Sequence, residues 1–209
     1  KTDLEYREKS QRYRDRVRLA GFHVVDKEIK RFPNEDGTET VKANADLDMA
    51  VDAILQGENL DYIMIGTGDG DFLRLVRALQ SKGKRVDALA FDNVSNELKR
   101  EVDYYFPASI IPGILPIKSD GQGIRQRGIL EFVDQEKGYG FLTTRTGFGV
   151  TDIEGDIFCH ISQVTENEAS ISNERFFELS RQGAVIEFEK TQTSKGVQAQ
   201  NAAVYQSSS

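Results

Sequence analysis

A chain of 209 residues with 38% hydrophobic content has room for one large or two ordinary domains, and it contains no apolar run near the roughly 20 residues that a membrane-spanning helix needs. A net charge of −7 argues against strong nonspecific duplex binding, which calls for a basic surface; it leaves open a metal-dependent nuclease, acidic at its site, and a single-strand binder that works by stacking. The only cysteine, Cys159, excludes an internal disulfide and fits a reducing cytoplasm. No secretory signal is visible, and the first residue is Lys1 rather than Met, so the expectation is a cytoplasmic protein whose natural start lies upstream.

Residues 3–20 are charged, with Tyr6, Tyr13, Val17 and Leu19 interspersed, and predict an amphipathic helix closed by Gly21. Phe22 to Ile29 predicts a strand, with His23 as a core or edge histidine, and residues 33–41 predict a loop. Residues 45–56 carry Leu47, Val51, Ile54 and Leu55 at helical spacing. A strand follows at 61–66 and a helix at 71–82, with Phe72, Leu75, Val76 and Leu79 on one face. Gly83 ends that helix, Val86–Phe91 is the next strand, and Ser95 caps a helix over 95–102 whose Leu98 faces inward. Such strand–helix alternation predicts a parallel sheet with crossover helices. Residues 116–123, PIKSDGQG, read as a linker, most clearly 118–123. Beyond it, Gly128–Val133, Tyr139–Thr143, Asp156–Ile161, Ala184–Lys190 and Ala199–Tyr205 predict a small five-stranded barrel of the OB type. The tail after Tyr205, QSSS, is polar and expected to be disordered.

The segment GTGDGDF at 66–72 directly follows the short apolar run Asp61–Ile65. A strand that ends in glycines turns tightly and projects Asp69 and Asp71 at its carboxyl end, where ligands of open α/β sheets lie. Two carboxylates so close repel unless a cation lies between them or one is protonated, and oxygen ligands suit Mg²⁺ or Mn²⁺. Asp46 begins the helix that also carries Asp48 and Asp52; these two share a face, whereas Asp46 points elsewhere. Asp46 reads as a metal-site ligand, or all three read as caps and solvated charges.

Taken together, K-x-N-x-D-x-D ahead of a helix, then GTGDGDF after a strand, KGKRV, and S-x-x-L-x-x-x-x-D resemble the NYN domain, a PIN-like nuclease family, in its LabA-like branch. The resemblance covers most of residues 1–117. It implies a Rossmann-like sheet whose carboxylates bind one or two divalent cations and an association with RNA cleavage; dimers are common in such folds. Carried over, Asp46, Asp69 and Asp71 match the acidic metal and catalytic positions, Asp103 a later acidic one, and Lys42, Asn44 and Thr67 supporting positions. The family's first strand carries a further aspartate that belongs before residues 3–20, so the resemblance implies a site one ligand short in this chain and an activity that depends on the upstream strand.

In the second half, KGYGFL at 137–142 alternates glycine with Tyr139 and Phe141, and DIFCHIS at 156–162 alternates Phe158 with His160. Period-two alternation sets these rings, with Phe132 of the preceding strand, on one sheet face, where bases can stack at roughly 1–3 kcal/mol each. Gly138 and Gly140 are expected to let bases approach the backbone. Cys159 alternates away and reads as a small core residue. With GILEF before and KGVQAQNAAV after, residues 124–206 resemble a cold-shock domain. That resemblance implies a five-stranded OB barrel that binds single-stranded RNA or DNA through Phe132, Lys137, Tyr139, Phe141, Phe158 and His160. Phe132 stands where the family has tryptophan and Glu131 where it often has lysine, and acidic residues outnumber basic ones, so backbone attraction is weaker here.

The sequence thus points to an RNA-processing enzyme, a divalent-metal-dependent ribonuclease whose barrel captures single-stranded RNA. A short linker sets a millimolar effective concentration for that capture. The alternative is a non-catalytic RNA-binding regulator. A nucleotide-binding or phosphatase-like Rossmann domain is weaker, since neither G-x-x-x-x-G-K-[ST] nor G-x-G-x-x-G is present.

Overall fold

The computed structural model describes residues 3–26, 30–33, 39–42, 45–91, 93–117 and 125–206, with the backbone alone at 3, 4, 30–33 and 39–42. The chain divides into two compact units, Lys1–Gln56 and Gly57–Ser209. The expected linker, 118–123, lies outside the described residues and within the second unit.

The first unit opens with α1 (Asp3–Leu19). Gly21, at φ 92°, donates its N–H to Arg18 O, and Phe22 donates to Val17 O. This pair of bonds with a left-handed glycine is a Schellman termination. The helix is less amphipathic than its pattern suggests: Tyr6, Tyr13 and Leu19 are exposed, and i,i+3 and i,i+4 ion pairs such as Glu8–Arg12 and Asp15–Arg18 supply local support. The strand expected over Phe22–Ile29 is absent from its described part: Phe22–Asp26 has no regular structure, His23 is exposed rather than buried, and 27–29 lie outside the described residues. Instead β1 (Lys30–Pro33) and β2 (Glu39–Lys42) pair antiparallel, and they take in both ends of the loop predicted over 33–41. The unit ends in α2 (Asp46–Gln56).

The second unit begins with a parallel sheet, β3 (Tyr62–Ile65), β4 (Arg85–Ala90) and β5 (Tyr104–Pro107), in that spatial order. The crossovers are α3 (Leu73–Ser81) and α4 (Asn96–Glu101). The apolar periodicity read from the sequence is what packs here: Leu75, Val76 and Leu79 of α3, Leu98 of α4, and Val86, Ala88 and Phe106 of the sheet are buried. Ser95 caps α4 by accepting the Leu98 N–H at 3.3 Å.

The remainder is a closed barrel of β6 (Arg125–Asp134), β7 (Tyr139–Arg145), β8 (Ile153–His160), β11 (Val185–Thr193) and β12 (Gly196–Val204). Two short strands, β9 (Val164–Glu166) and β10 (Ala169–Ser170), extend it beside β12. Closure comes from β12 pairing parallel with β8 at Gln198↔Phe158, while β6 pairs with both β7 and β11. A helix, α5 (Asn173–Gln182), spans the gap between β8 and β11 and plugs the barrel with Phe176 and Leu179. This topology is consistent with an OB-fold. No helix is expected here from the sequence, although its signals stand there: Ser172 caps it by accepting the Arg175 N–H, and Gly183 at φ 62° ends it.

Candidate nucleic-acid interface and acidic loop

The barrel gathers its aromatic residues on one outer face. In the β6–β7–β8 ladder, Phe132 pairs with Phe141, Phe141 with Phe158, and Tyr139 with His160. Neighbouring rings lie 5.6–6.3 Å apart: Tyr139 stacks on Phe158, Phe132 on Phe141, and Phe141 meets Tyr139 and Phe158 edge-on. A bulge makes the face continuous. Leu130 is fully buried and Phe132 is 53% exposed, although two residues apart on a regular strand would share a face. The register shift between Leu130 and Phe132 inserts Glu131 and turns Phe132 outward. His160 Nδ1 accepts the Ser162 N–H at 3.2 Å, which leaves Nε2 to carry the ring proton. Lys137, in the turn before Tyr139, is exposed and 3.5 Å from Asp134; its backbone N–H and its ammonium hold the Asp134 carboxyl below its ordinary range.

Gly138 and Gly140 serve the fold rather than a ligand. A side chain at Gly140 would lie 2.4 Å from Phe132 O and 2.9 Å from Val133, and one at Gly138, which has φ +65°, would lie 3.0 Å from Ile161. Both gaps are filled by protein, so the expectation that these glycines admit bases is corrected. Cys159 points into the core, where burial pushes its thiol up to about 12.

The GTGDGDF segment forms a loop at the carboxyl end of β3. Thr67 Oγ1 accepts the Asp69 N–H at 3.1 Å, and Asp69 Oδ1 accepts the Asp71 N–H at 2.9 Å. Asp69 thereby caps the short 3-10 turn Gly70–Phe72 that leads into α3. The loop packs against the segment after β4: Ser95 N–H donates to Gly68 O at 2.9 Å, and a side chain at Gly68 would lie 3.2 Å from the Val94 backbone. Asp69 and Asp71 are both exposed, and Asp69 lines an open depression with Thr67, Gly68, Gly70 and Asn93–Asn96.

The other expected site residues are placed as follows. Asp46 begins α2 in the first unit, with Asp48 and Asp52 further along. Lys42 ends β2, and Asn44 lies outside the described residues. Asp103 does not join the acidic loop. It precedes β5 at the amino-terminal edge of the sheet, whereas Asp69 and Asp71 follow the carboxyl end of β3; the strands between span roughly 10 Å or more. Its carboxylate accepts the Val86 N–H at 2.8 Å and a Gln80 amide N–H at 3.2 Å, and these bonds hold its pKa low. It is a structural bracket between β4, β5 and α3.

Exposed carboxylates of the Asp69 and Asp71 type suit a hard cation, which takes one or two of them and keeps its waters. Among the described residues, no group of three or more His, Cys, Asp or Glu side chains is gathered to hold a metal ion.

The NYN-domain family matches residues 2–111. The chain belongs to the NYN-domain family. NYN domains are PIN-like nucleases, and these are generally divalent-metal dependent. This NYN-domain protein is similar to the low amplitude and bright protein LabA of Synechococcus elongatus, 29% identical over 96 residues, which cover 44% of this chain and 52% of LabA. It is also similar to a Vibrio parahaemolyticus protein of unknown function whose crystal structure is known, at 27% identity and a TM-score of 0.41, over 47% of this chain and 60% of that one. The NYN-domain protein therefore spans about half the length of the curated relative. None of its described helices is long and apolar enough to cross a membrane.

Proposed function

We propose that this NYN-domain protein is a cytoplasmic, divalent-metal-dependent ribonuclease in which a cold-shock-like barrel holds single-stranded RNA. The observation that carries the reading is the ring cluster of Phe132, Tyr139, Phe141 and Phe158, continuous over three strands of a barrel of OB type, with Phe132 exposed and the other three half-buried. Such a face stacks unpaired bases and tolerates any sequence. His160 Nε2–H and the Lys137 ammonium, at its edge, would bind base edges and phosphate.

Asp69 and Asp71 would hold Mg²⁺ or Mn²⁺. When bound, the cation lowers the pKa of water and offsets charge on the phosphate. The residues' own work is positional: Thr67 and the Asp69 cap set the loop, Gly68 lets it lie against Val94, and the depression stays open to a strand. The second reading, a non-catalytic RNA-binding regulator, is favoured by two observations: one Asp69 oxygen is already engaged in the turn, and the described residues gather no ligand triad.

The deciding experiment measures cleavage and binding of a labelled single-stranded RNA with Mn²⁺, Mg²⁺ or EDTA, for the wild type, Asp69→Asn and Phe158→Ala, and for a form extended at its N-terminus. Metal-dependent cutting lost in Asp69→Asn supports the nuclease. Cutting by the extended form alone shows that an upstream residue is required. RNA binding without cutting in either form supports the regulator. Binding that is indifferent to Phe158→Ala removes the aromatic face from both readings.

A further inference from the structure

The aromatic face of the barrel has two chemically different ends. Along the β6–β7–β8 ladder, the row Tyr139↔His160 is followed by the row Phe132↔Phe141↔Phe158. The exposed Lys137 precedes the first row. Beyond the second row, on the other side of the rings, stand Glu131 and Thr143.

Glu131 is the residue that the bulge inserts, and it has no register partner on β7. Its carboxylate nevertheless has a defined place: Glu131 Oε2 accepts the Thr143 hydroxyl at 2.9 Å. Thr143 follows Phe141 by two residues, and Leu142 and Thr144 on either side of it are buried, so Thr143 and Phe141 share the outer face. The carboxylate therefore lies on that face, next to the row of rings. Folding alone gives little reason for it, since water satisfies an exposed hydroxyl about as well. Glu131 is exposed, and among the described residues it makes no ion pair. Glu154, on β8, is by contrast paired with Lys190. Glu131 Oε1 has no hydrogen-bond partner among the described residues, and Oε2 keeps a second acceptor site.

An ionised carboxylate only accepts hydrogen bonds, and it repels phosphate. A strand stacked on Phe132 and Phe141 turns its backbone away from Glu131 and offers it a base edge. The four bases differ there. Guanine presents two adjacent donors, N1–H and N2–H, which one carboxylate takes together. Cytosine and adenine each present an amino group beside a ring-nitrogen acceptor, and uracil presents one N–H between two carbonyls. Paired, charge-assisted bonds are the strong ones, so guanine gains most and uracil least.

We propose that Glu131 reads guanine in a single strand stacked on Phe132 and Phe141. The rings themselves are indifferent to sequence, and Glu131 adds selection at one position. The inference rests on the reading of the aromatic face as a single-strand binder.

The test measures fluorescence anisotropy of labelled RNA octamers with the whole chain, in EDTA and at one salt concentration, because affinity depends on salt. The octamers are all uridine, or uridine with one central guanosine, inosine, adenosine or cytidine. The guanosine octamer is expected to bind about tenfold tighter than the uridine octamer. Inosine, which lacks the N2 amino group, should fall between them. Glu131→Gln, at an exposed position, should bring the guanosine and uridine octamers to within about twofold of each other. Octamers that all bind the wild type equally would overturn the role of Glu131 and spare the aromatic face. A guanosine preference that survives in Glu131→Gln would place base reading at another residue and overturn it as well. No binding of any octamer would remove the aromatic face and the inference together.

Discussion

Arg145 of β7 donates to the Tyr104 hydroxyl of β5 at 2.9 Å, so a barrel side chain is fastened to the last strand of the sheet. The guanidinium is 4% exposed, sits 4.8 Å from the centre of the Phe106 ring, and also donates to the carbonyls of Gly147 and Gly149. A second arginine, Arg127, donates to Pro116 O at 2.8 Å and lies over the Tyr205 ring. Sheet and barrel are joined by these buried charges. Arg145→Met is expected to cost about 2–4 kcal/mol, because it leaves several carbonyls and a phenol unsatisfied. Tyr104→Phe removes one hydrogen bond and is expected to cost about 1 kcal/mol. Urea denaturation gives both values. Hydrogen exchange should show β5 amides opening faster in Arg145→Met while the barrel core keeps its protection.

Gly140→Ala tests the corrected role of the RNA-motif glycines. Its Cβ would stand 2.4 Å from the Phe132 carbonyl and 3.1 Å from Leu130, and a backbone oxygen cannot yield as a side-chain tip can. The variant is expected to lose about 1–3 kcal/mol or more by overpacking, seen as a lower Tm. Unchanged stability with weaker RNA binding would restore the ligand role instead.

Asp69 separates two roles according to its replacement. Asparagine keeps an oxygen for the Asp71 N–H, whereas alanine leaves the turn uncapped. Asp69→Ala is therefore expected to lower stability by about 1 kcal/mol and Asp69→Asn by much less, while both remove the negative charge. Equal losses of metal-dependent cleavage in the two, with unequal melting temperatures, would tie function to charge rather than to the fold of the loop.

Much of this was legible because it rested on local rules. The α3 stripe of Leu75, Val76 and Leu79, the Ser95 cap, and the alternation of Tyr139, Phe141, Phe158 and His160 each follow from periodicity or capping chemistry, and each stands where that chemistry puts it. The parallel sheet and the closed barrel follow from the order of such elements. What was not legible depended on partners far along the chain. Asp103 fits an acidic pattern by spacing, but the spacing does not tell which end of a parallel strand it occupies. Val24 and Val25 favour a strand, yet Phe22–Asp26 pairs with no strand among the described residues. The outward turn of Phe132 needs a bulge, which no alternation encodes.

Asp103 supplies a pH-dependent contribution of known sign. Hydrogen bonds from Val86 and Gln80 lower its pKa below the ordinary 3.8. A group whose folded value is depressed stabilises fully above its unfolded value and loses that contribution as pH falls through the folded one. Asp103→Ala is thus expected to be less stable than wild type by about 1 kcal/mol at pH 7. The gap should hold down to pH 5 and close below the ordinary carboxylate value. Asp103→Asn should leave RNA cleavage, if measured alongside Asp69→Asn, at the wild-type rate; a loss equal to that of Asp69→Asn would return Asp103 to the site.

Cys159 provides a reporter of barrel opening that uses no introduced label. It lies between Phe158 and His160, so its side chain points inward as theirs point out, and it is fully buried. Burial raises its thiol pKa to about 12, and the thiolate is the reactive form. Two obstacles, access and ionisation, therefore act together in the folded barrel. Alkylation by iodoacetamide at pH 8 is expected to be slow in the native protein and to proceed at the rate of a free thiol in urea. Single-stranded RNA should slow native labelling further, because a ligand that binds only the folded barrel lowers the open population. Labelling that is fast in the native state would show that β8 opens without global unfolding. Labelling unaffected by saturating RNA would show that RNA does not stabilise the barrel, against the proposed use of its aromatic face.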